Sequence, residues 1–489
     1  MQGLMNRGEG VMRMKFAGSF KWLILWAGLF FLVTAPAVGA QTIPVTDLGT
    51  LGGIKSQALG LNNLGHIVGS SLNPSGKTRA FFWSPEGGLK DLGTLGGDFS
   101  EALSVNNLGQ AVGGSSTKEG NTHAFLWSAQ GGMVDLGTLG GSFGYALLTN
   151  DLGHVAGSSS NASSFERLFF WTPEKGMVDI GGLGGDYSEM TAMNNLGQIV
   201  GSSVKQSGET WAFLWTPNGK MVPLGVLGGE YSYALAVNDH GQVAGGSSTA
   251  SGETHAFFWT PEGGMKDLGT LGGNLSEATA VNNLGQVVGR SHTDTESETY
   301  RAFLWTLPNG MVDLGTLGGS LSEALAINDR GQVVGRSTTA SGVWKAFLWT
   351  AKGGMVDLGT LGGNSGQAHA INSRGQIIGD SKNALKAIHA TLWSVPSLTP
   401  EEQVKELIAE VEGLIRDRGL KREFGRALIF ELQIVLKKIQ RERTKMACHL
   451  LHAFTQQVKI LVKFHRLSSS NGQALLDKAE EVSTCQSGT

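Results

Sequence analysis

One register of side chains recurs where a ring of binding groups would be useful. Gln57, Glu101, Tyr145, Glu189, Tyr233, Glu277, Glu323 and Gln367 each stand before the same short apolar stretch, about 44 residues apart. Four are carboxylates and two are phenols. If the stretches surround one opening, the four carboxylates share it, and clustered like charge concentrates counter-ions there. Such a mouth suits a calcium ion, which takes oxygen ligands, or a basic or sugar ligand. A solvated rim that keeps the opening wet accounts for the same residues, and no calcium-specific motif accompanies them.

Other routes to chemistry are thinner. The eleven histidines are scattered. His66 and His154 stand where most copies carry Gln and read as turn variants. There is no phosphate-cradling G-x-x-x-x-G-K-[ST] loop, no nucleophile elbow and no metal-spaced His/Cys cluster. Catalysis on a repeat scaffold needs the symmetry broken at one place. No Asp, Glu or His reads as placed differently from its repeat equivalents, so the chain is expected not to be an enzyme. A hydrolase acting at the mouth is one alternative. Another is a lectin-like carbohydrate binder using loop aromatics such as Trp211, Tyr300 and Trp344. The Ser/Thr-rich loops, for example 202–211 and 291–301, vary most between copies and suit recognition.

The elements that must position these residues follow from the repeat. A D-L-G-x-L-G-G text begins at Asp47, Asp91, Asp135, Asp179, Pro223, Asp267, Asp313 and Asp357, with local departures at 180–182 and at Pro223. An aromatic text ends at Trp83, Trp127, Trp171, Trp215, Trp259, Trp305, Trp349 and Trp393. Eight copies at this period predict propeller blades or solenoid turns. Within residues 322–363, A-L-A-I, Q-V-V-G, A-F-L-W and M-V-D-L-G-T-L are short runs separated by Asx/Gly turns, which predicts a four-stranded meander. The runs are apolar on both faces, so both faces must be covered, as neighbouring blades would do. The chain opens with an isolated fourth-strand text at 43–51 and leaves the repeats on a third-strand text at 390–393. The fold class expected is therefore an all-β, eight-bladed propeller of four-stranded blades over 42–394, closed by the N-terminal strand. An open solenoid is the alternative.

The texts D-L-G-T-L-G-G, I-N-x-x-G-Q-V-V-G and H-A-F-L-W, with His123-Ala124-Phe125 and His255-Ala256-Phe257, resemble the HAF repeats of bacterial exported proteins. That resemblance implies an extracellular repeat module and no catalytic residue.

The flanks differ in kind. Residues 22–33 are an apolar run after Arg13, Lys15 and Lys21, too short for the roughly 20 residues a bilayer needs. With Val38-Gly39-Ala40 behind it, 1–40 is expected to be a signal peptide, leaving no stable transmembrane span after cleavage. Residues 395–400 read as a linker and 401–489 as a small all-α bundle. There, Thr399 and Pro400 open a helix that Glu402 caps. T-K-M-A-C-H-L-L-H-A-F-T-Q-Q-V and G-Q-A-L-L-D-K-A are similar to the FIMAH-type helical domain appended to exported bacterial proteins, which implies an accessory module. The only two cysteines, Cys448 and Cys485, are expected to pair in an oxidising compartment.

Charge and composition narrow the partners. Net charge is −3 and only 16% of residues are charged, so nothing drives the chain toward nucleic acid. The expectation is a monomer on or outside a bacterial cell, binding an extracellular protein or a glycan without catalysis.

Overall fold

A computed structural model describes residues 43–295, 299–396, 399–416, 418–480 and 482. The expected leader at 1–40 lies outside the described residues.

The repeats form an all-β array of four-stranded antiparallel units. One unit pairs Gly318–Ile327 with Val333–Thr339, that strand with Trp344–Thr350, and the last with Gly354–Asp357. Six sheets have four strands each. An eight-stranded sheet joins two such units through one parallel bridge, Phe143 to Thr122. The N-terminal strand Val45–Asp47 pairs antiparallel with Ile388–Ser394, so the last unit borrows its outer strand from the start of the chain.

Burial explains the two-sided apolar pattern. Val68, Ala80 and Leu92 of one unit pack with Ala102, Ala111, Phe125 and Trp127 of the next. Leu48, Ala58, Ile67 and Phe81 likewise pack with Ile378, Ala390 and Leu392 from the other end of the repeats. Each unit hides its faces on its neighbours because it has too little thickness to bury them alone.

The outer strand is shorter than the sequence suggests. It was expected to run through M-V-D-L-G-T-L, but it stops at Asp357. The D-L-G text is a turn: Asp357 Oδ1 accepts from the Gly359 amide at 2.8 Å, and Gly359 sits at φ 76°, where only glycine is comfortable. Thr360 Oγ1 then donates to the Gly363 carbonyl at 2.7 Å. The same Asp and Thr contacts recur at 91–97, 135–141 and 313–319. D-L-G-T-L-G-G therefore spells the return from the outer strand of one unit to the first strand of the next.

Four helices follow: α1 (Pro400–Arg416), α2 (Arg422–Ile439), α3 (Thr444–Lys463) and α4 (Ser469–Glu480). Thr399 and Glu402 cap α1 reciprocally, with Thr399 N donating to Glu402 Oε2 at 2.8 Å and Glu402 N to Thr399 Oγ1 at 3.3 Å. Val404, Leu407, Val411, Leu428, Leu432, Leu451, Phe454 and Val458 share one apolar core. Cys448 on α3 is not a free thiol, and its expected partner Cys485 lies outside the described residues. No described helix is long and apolar enough to cross a membrane.

Candidate functional site

The first strand of each unit carries the recurring register, and a glycine in the second strand shapes it. A Cβ added at Gly69, Gly113, Gly157, Gly201, Gly245, Gly289, Gly335 or Gly379 would stand 1.9 or 2.0 Å from a carbonyl oxygen. Those carbonyls belong to Gln57, Glu101, Tyr145, Glu189, Tyr233, Glu277, Glu323 and Gln367, in that order. The close approach accompanies a β-bulge just beyond each register residue, for example between Ala58 and Gly60 or between Met190 and Ala192. The V-V-G and I-V-G texts are thus what lets the site residues sit where they do.

Most register residues are held by neighbouring side chains, while Glu189 is exposed. Tyr145 Oη donates to Glu101 Oε2 at 2.9 Å, and Tyr233 Oη to Glu277 Oε1 at 2.8 Å, each across a unit boundary. Arg290 lies 3.0 Å from Glu277 and 3.6 Å from Glu323. Arg336 grips Glu323 at 2.8 Å and reaches Gln367 Oε1 at 3.5 Å. Gln57 Nε2 donates to Asp380 Oδ2 at 3.4 Å, joining the first unit to the last. Glu189 is held within its own unit, accepting from Ser202 Oγ at 3.0 Å and Tyr187 Oη at 3.2 Å. The four carboxylates are therefore divided between guanidinium and hydroxyl partners. Among the described residues no group of three or more His, Cys, Asp or Glu stands together to hold a metal ion.

This network has a measurable consequence. Burial first, and the neighbouring glutamate charge second, push the phenols of Tyr145 and Tyr233 far above their ordinary value of 10.0. Both groups stay protonated in the folded chain after an exposed tyrosine has ionised. A raised folded-state value gives a contribution fully present below about pH 10, the unfolded value, and lost as pH climbs above it. Alkaline titration at 295 nm should therefore show two tyrosines that ionise only as the fold opens. In Tyr145→Phe/Tyr233→Phe that late phase should vanish.

Arg290, Arg336 and Asp380 were not singled out from the sequence. They occupy one second-strand register whose other members are Ser70, Gly114, Ser158, Ser202 and Gly246. Aligning the copies there, beside the first-strand register, would have exposed them. A further departure lies one strand inward. Where other units carry Leu59, Leu103, Leu147, Thr191, Leu235, Thr279 and Leu325, the last carries His369. His369 Nε2 is 3.0 Å from Asp380 Oδ2, a pairing of the kind that orients an imidazole for proton transfer.

The opposite ends of the first strands make a different structure. Each turn asparagine donates Nδ2 to the main-chain carbonyl of the next: Asn62 to Asn106, then Asn150, Asn194, Asn238, Asn282, Asn328 and Asn372. Asn372 donates back to Asn62 at 2.9 Å. Each Oδ1 also accepts two amides of its own turn, as Asn282 does from Leu284 and Gln286. All eight turns line one cavity of about 370 Å3. The N-D-R-G text, read from the sequence as a turn signature only, is also the joint between units.

No family model matches the chain, and no characterised protein matches it in sequence. Several solved structures are similar in fold. The beta-propeller domain of the Trilobed protease from Pyrococcus furiosus is 10% identical, with a TM-score of 0.42 over 62% of this chain and 98% of that one. A puromycin-hydrolyzing peptidase of Mycobacterium tuberculosis is 13% identical, TM-score 0.43, over 69% of this chain and only 59% of its own length. The BP39L lectin from Burkholderia pseudomallei is 10% identical, TM-score 0.37, over 64% and 98%. No activity passes to this chain from likenesses of that degree. The expectation that the chain is not an enzyme is overturned on other ground: it rests on repeat equivalents being alike, and His369 and Asp380 depart from theirs.

Proposed function

We propose that the chain is an exported, eight-bladed propeller, closed by its N-terminal strand, that binds an extracellular ligand at the mouth carrying Gln57 to Gln367. The closure reading is supported by the pairing of Val45–Asp47 with Ile388–Ser394 and by the asparagine circuit that returns to Asn62. The HAF-type and FIMAH-type texts support export and an accessory role for the helices. One observation carries the binding reading. Seven units keep an apolar residue or Thr at the His369 position and Ser, Gly or Arg at the Asp380 position, and the eighth breaks both at this mouth. A scaffold that repeats its joints so strictly and varies one mouth has put its recognition there.

Retention of the purified chain on immobilised bacterial cell-envelope material tests it. Gln57→Ala/Gln367→Ala should weaken retention at least ~10-fold, equivalent to about 1.4 kcal/mol. Leu108→Ser/Leu152→Ser, exposed turn residues at the opposite mouth, should leave it unchanged. Equal losses in both variants, or no retention of the native chain, would reject the reading.

A further inference from the structure

The last unit holds a cavity where other units place bulk. Directly before the Ser or Gly that precedes the site register, the chain carries Phe99, Phe143, Tyr187, Tyr231, Leu275 and Leu321 in six units. Phe143 and Tyr231 stack on the register residues Tyr145 and Tyr233 of their own units. In the last unit this position is Ser365, followed by Gly366. A cavity of about 210 Å3 stands there, lined among others by Trp344, Arg336, Asp380, Lys382, Gln57 and Gln367.

Its lining specifies a ligand. Asp380 is only 6% exposed, and its Oδ1 has no hydrogen-bond partner, while Oδ2 is shared by His369 and Gln57. A buried carboxylate oxygen without a donor is unfavourable, and a turn of the side chain that lets it accept from a ligand hydroxyl in the cavity would relieve it. Charge is balanced in number: Arg336 is paired with Glu323, and the lining holds one further cation, Lys382, and one anion, Asp380. A net charge on the ligand therefore gains nothing. The amides of Gln57 and Gln367 both donate and accept, which suits hydroxyl groups. Trp344, with Arg336 over its ring at 4.8 Å, and Ile388 supply an apolar wall. The volume is below the roughly 300–1,000 Å3 of pockets for drug-sized ligands.

We infer that this cavity binds one neutral pyranose residue, its hydroxyls toward Asp380 and the glutamines and its C–H face toward Trp344. The inference rests on the reading of this mouth as the ligand-binding face and names its ligand class. A free monosaccharide and the end of a longer glycan present the same ring, so both are tested.

Calorimetric titration of the full chain with glucose, galactose and mannose is one arm, and an array of glycans ending in these sugars is the other. At least one sugar should bind with a Kd of ~1 mM or tighter. Ser365→Phe restores the ring that two other units carry. It should keep or raise the melting temperature and weaken binding at least ~10-fold. Should Ser365→Phe fail to fold, Trp344→Ala, on a partly exposed ring, should show the same loss. Binding confined to the array assigns a glycan end, and binding in both arms assigns the free sugar as well. Undiminished binding in the folded variant overturns the cavity assignment but leaves the mouth reading standing. No sugar binding in either arm overturns the inference, while envelope retention still judges the mouth independently.

Discussion

Gly201→Ala is expected to be among the most damaging single-methyl substitutions in the repeats. The new Cβ would lie 2.0 Å from the Glu189 carbonyl oxygen and 2.8 Å from Met190 Cα. Both are backbone atoms, so no flexible side chain can yield. The first strand must move, and with it the bulge that sets Glu189 and the packing of Met190 against the neighbouring unit. A cost of about 3 kcal/mol or more follows, at the upper end of ordinary point substitutions. Gly208→Ala is the control. Gly208 lies at φ 100° with nothing near its missing Cβ, so only backbone strain of about 1–2 kcal/mol is expected. Urea unfolding of the two variants checks the order. If Gly208→Ala proves the more harmful, close approach is not why the glycine is there.

Removing residues 1–49 is expected to have a larger effect still. The truncation takes away Leu48, which is buried with Ala390 and Leu392, and Asp47, whose carboxylate holds His389 Nδ1 at 2.8 Å. It also strips the outer ladder from Ile388–Ser394, where Val45 pairs with Trp393. Burying one leucine contributes roughly 1.5–3 kcal/mol and each net ladder hydrogen bond about 0.5–1.5. The loss is then on the order of 5 kcal/mol, comparable to the whole margin of many domains. The bared strand would also pair with other chains. Thermal unfolding and light scattering should show an earlier, less cooperative transition and association. A synthetic peptide spanning 42–50, added in trans, should reverse both. A truncated chain that melts like the parent and stays monomeric would reject closure through the N-terminal strand.

Much of the fold was legible because its cues are local and repeated eight times. Asx/Gly turns, continuous apolar runs and the third-strand/fourth-strand mismatch at the chain ends all point to units that cover one another. The capping box at Thr399 and Glu402 needed only helix-terminus chemistry. D-L-G looks like strand because of its apolar residue, yet Asp357, reaching forward two residues to the Gly359 amide, turns the chain where that strand ends. The register from Gln57 to Gln367 is legible in the sequence, but its partners are not. Arg290 and Arg336 lie 13 residues from the carboxylates they hold, across a strand pair whose bulge shifts the register. Asp380 and His369 escaped notice for another reason. Each is a single substitution in a long repeat, and averaging over copies hides the one copy that differs.

The asparagine joints carry one more implication. Every Asn62-type amide is received by a main-chain oxygen, which all twenty residue types possess. The joint cannot tell which copy lies beside it. As far as this joint is concerned, copies can be duplicated, exchanged or reshuffled by recombination without mending it. At the far end the seam is of another kind, because side chains there bond across unit boundaries, as Tyr145 does to Glu101.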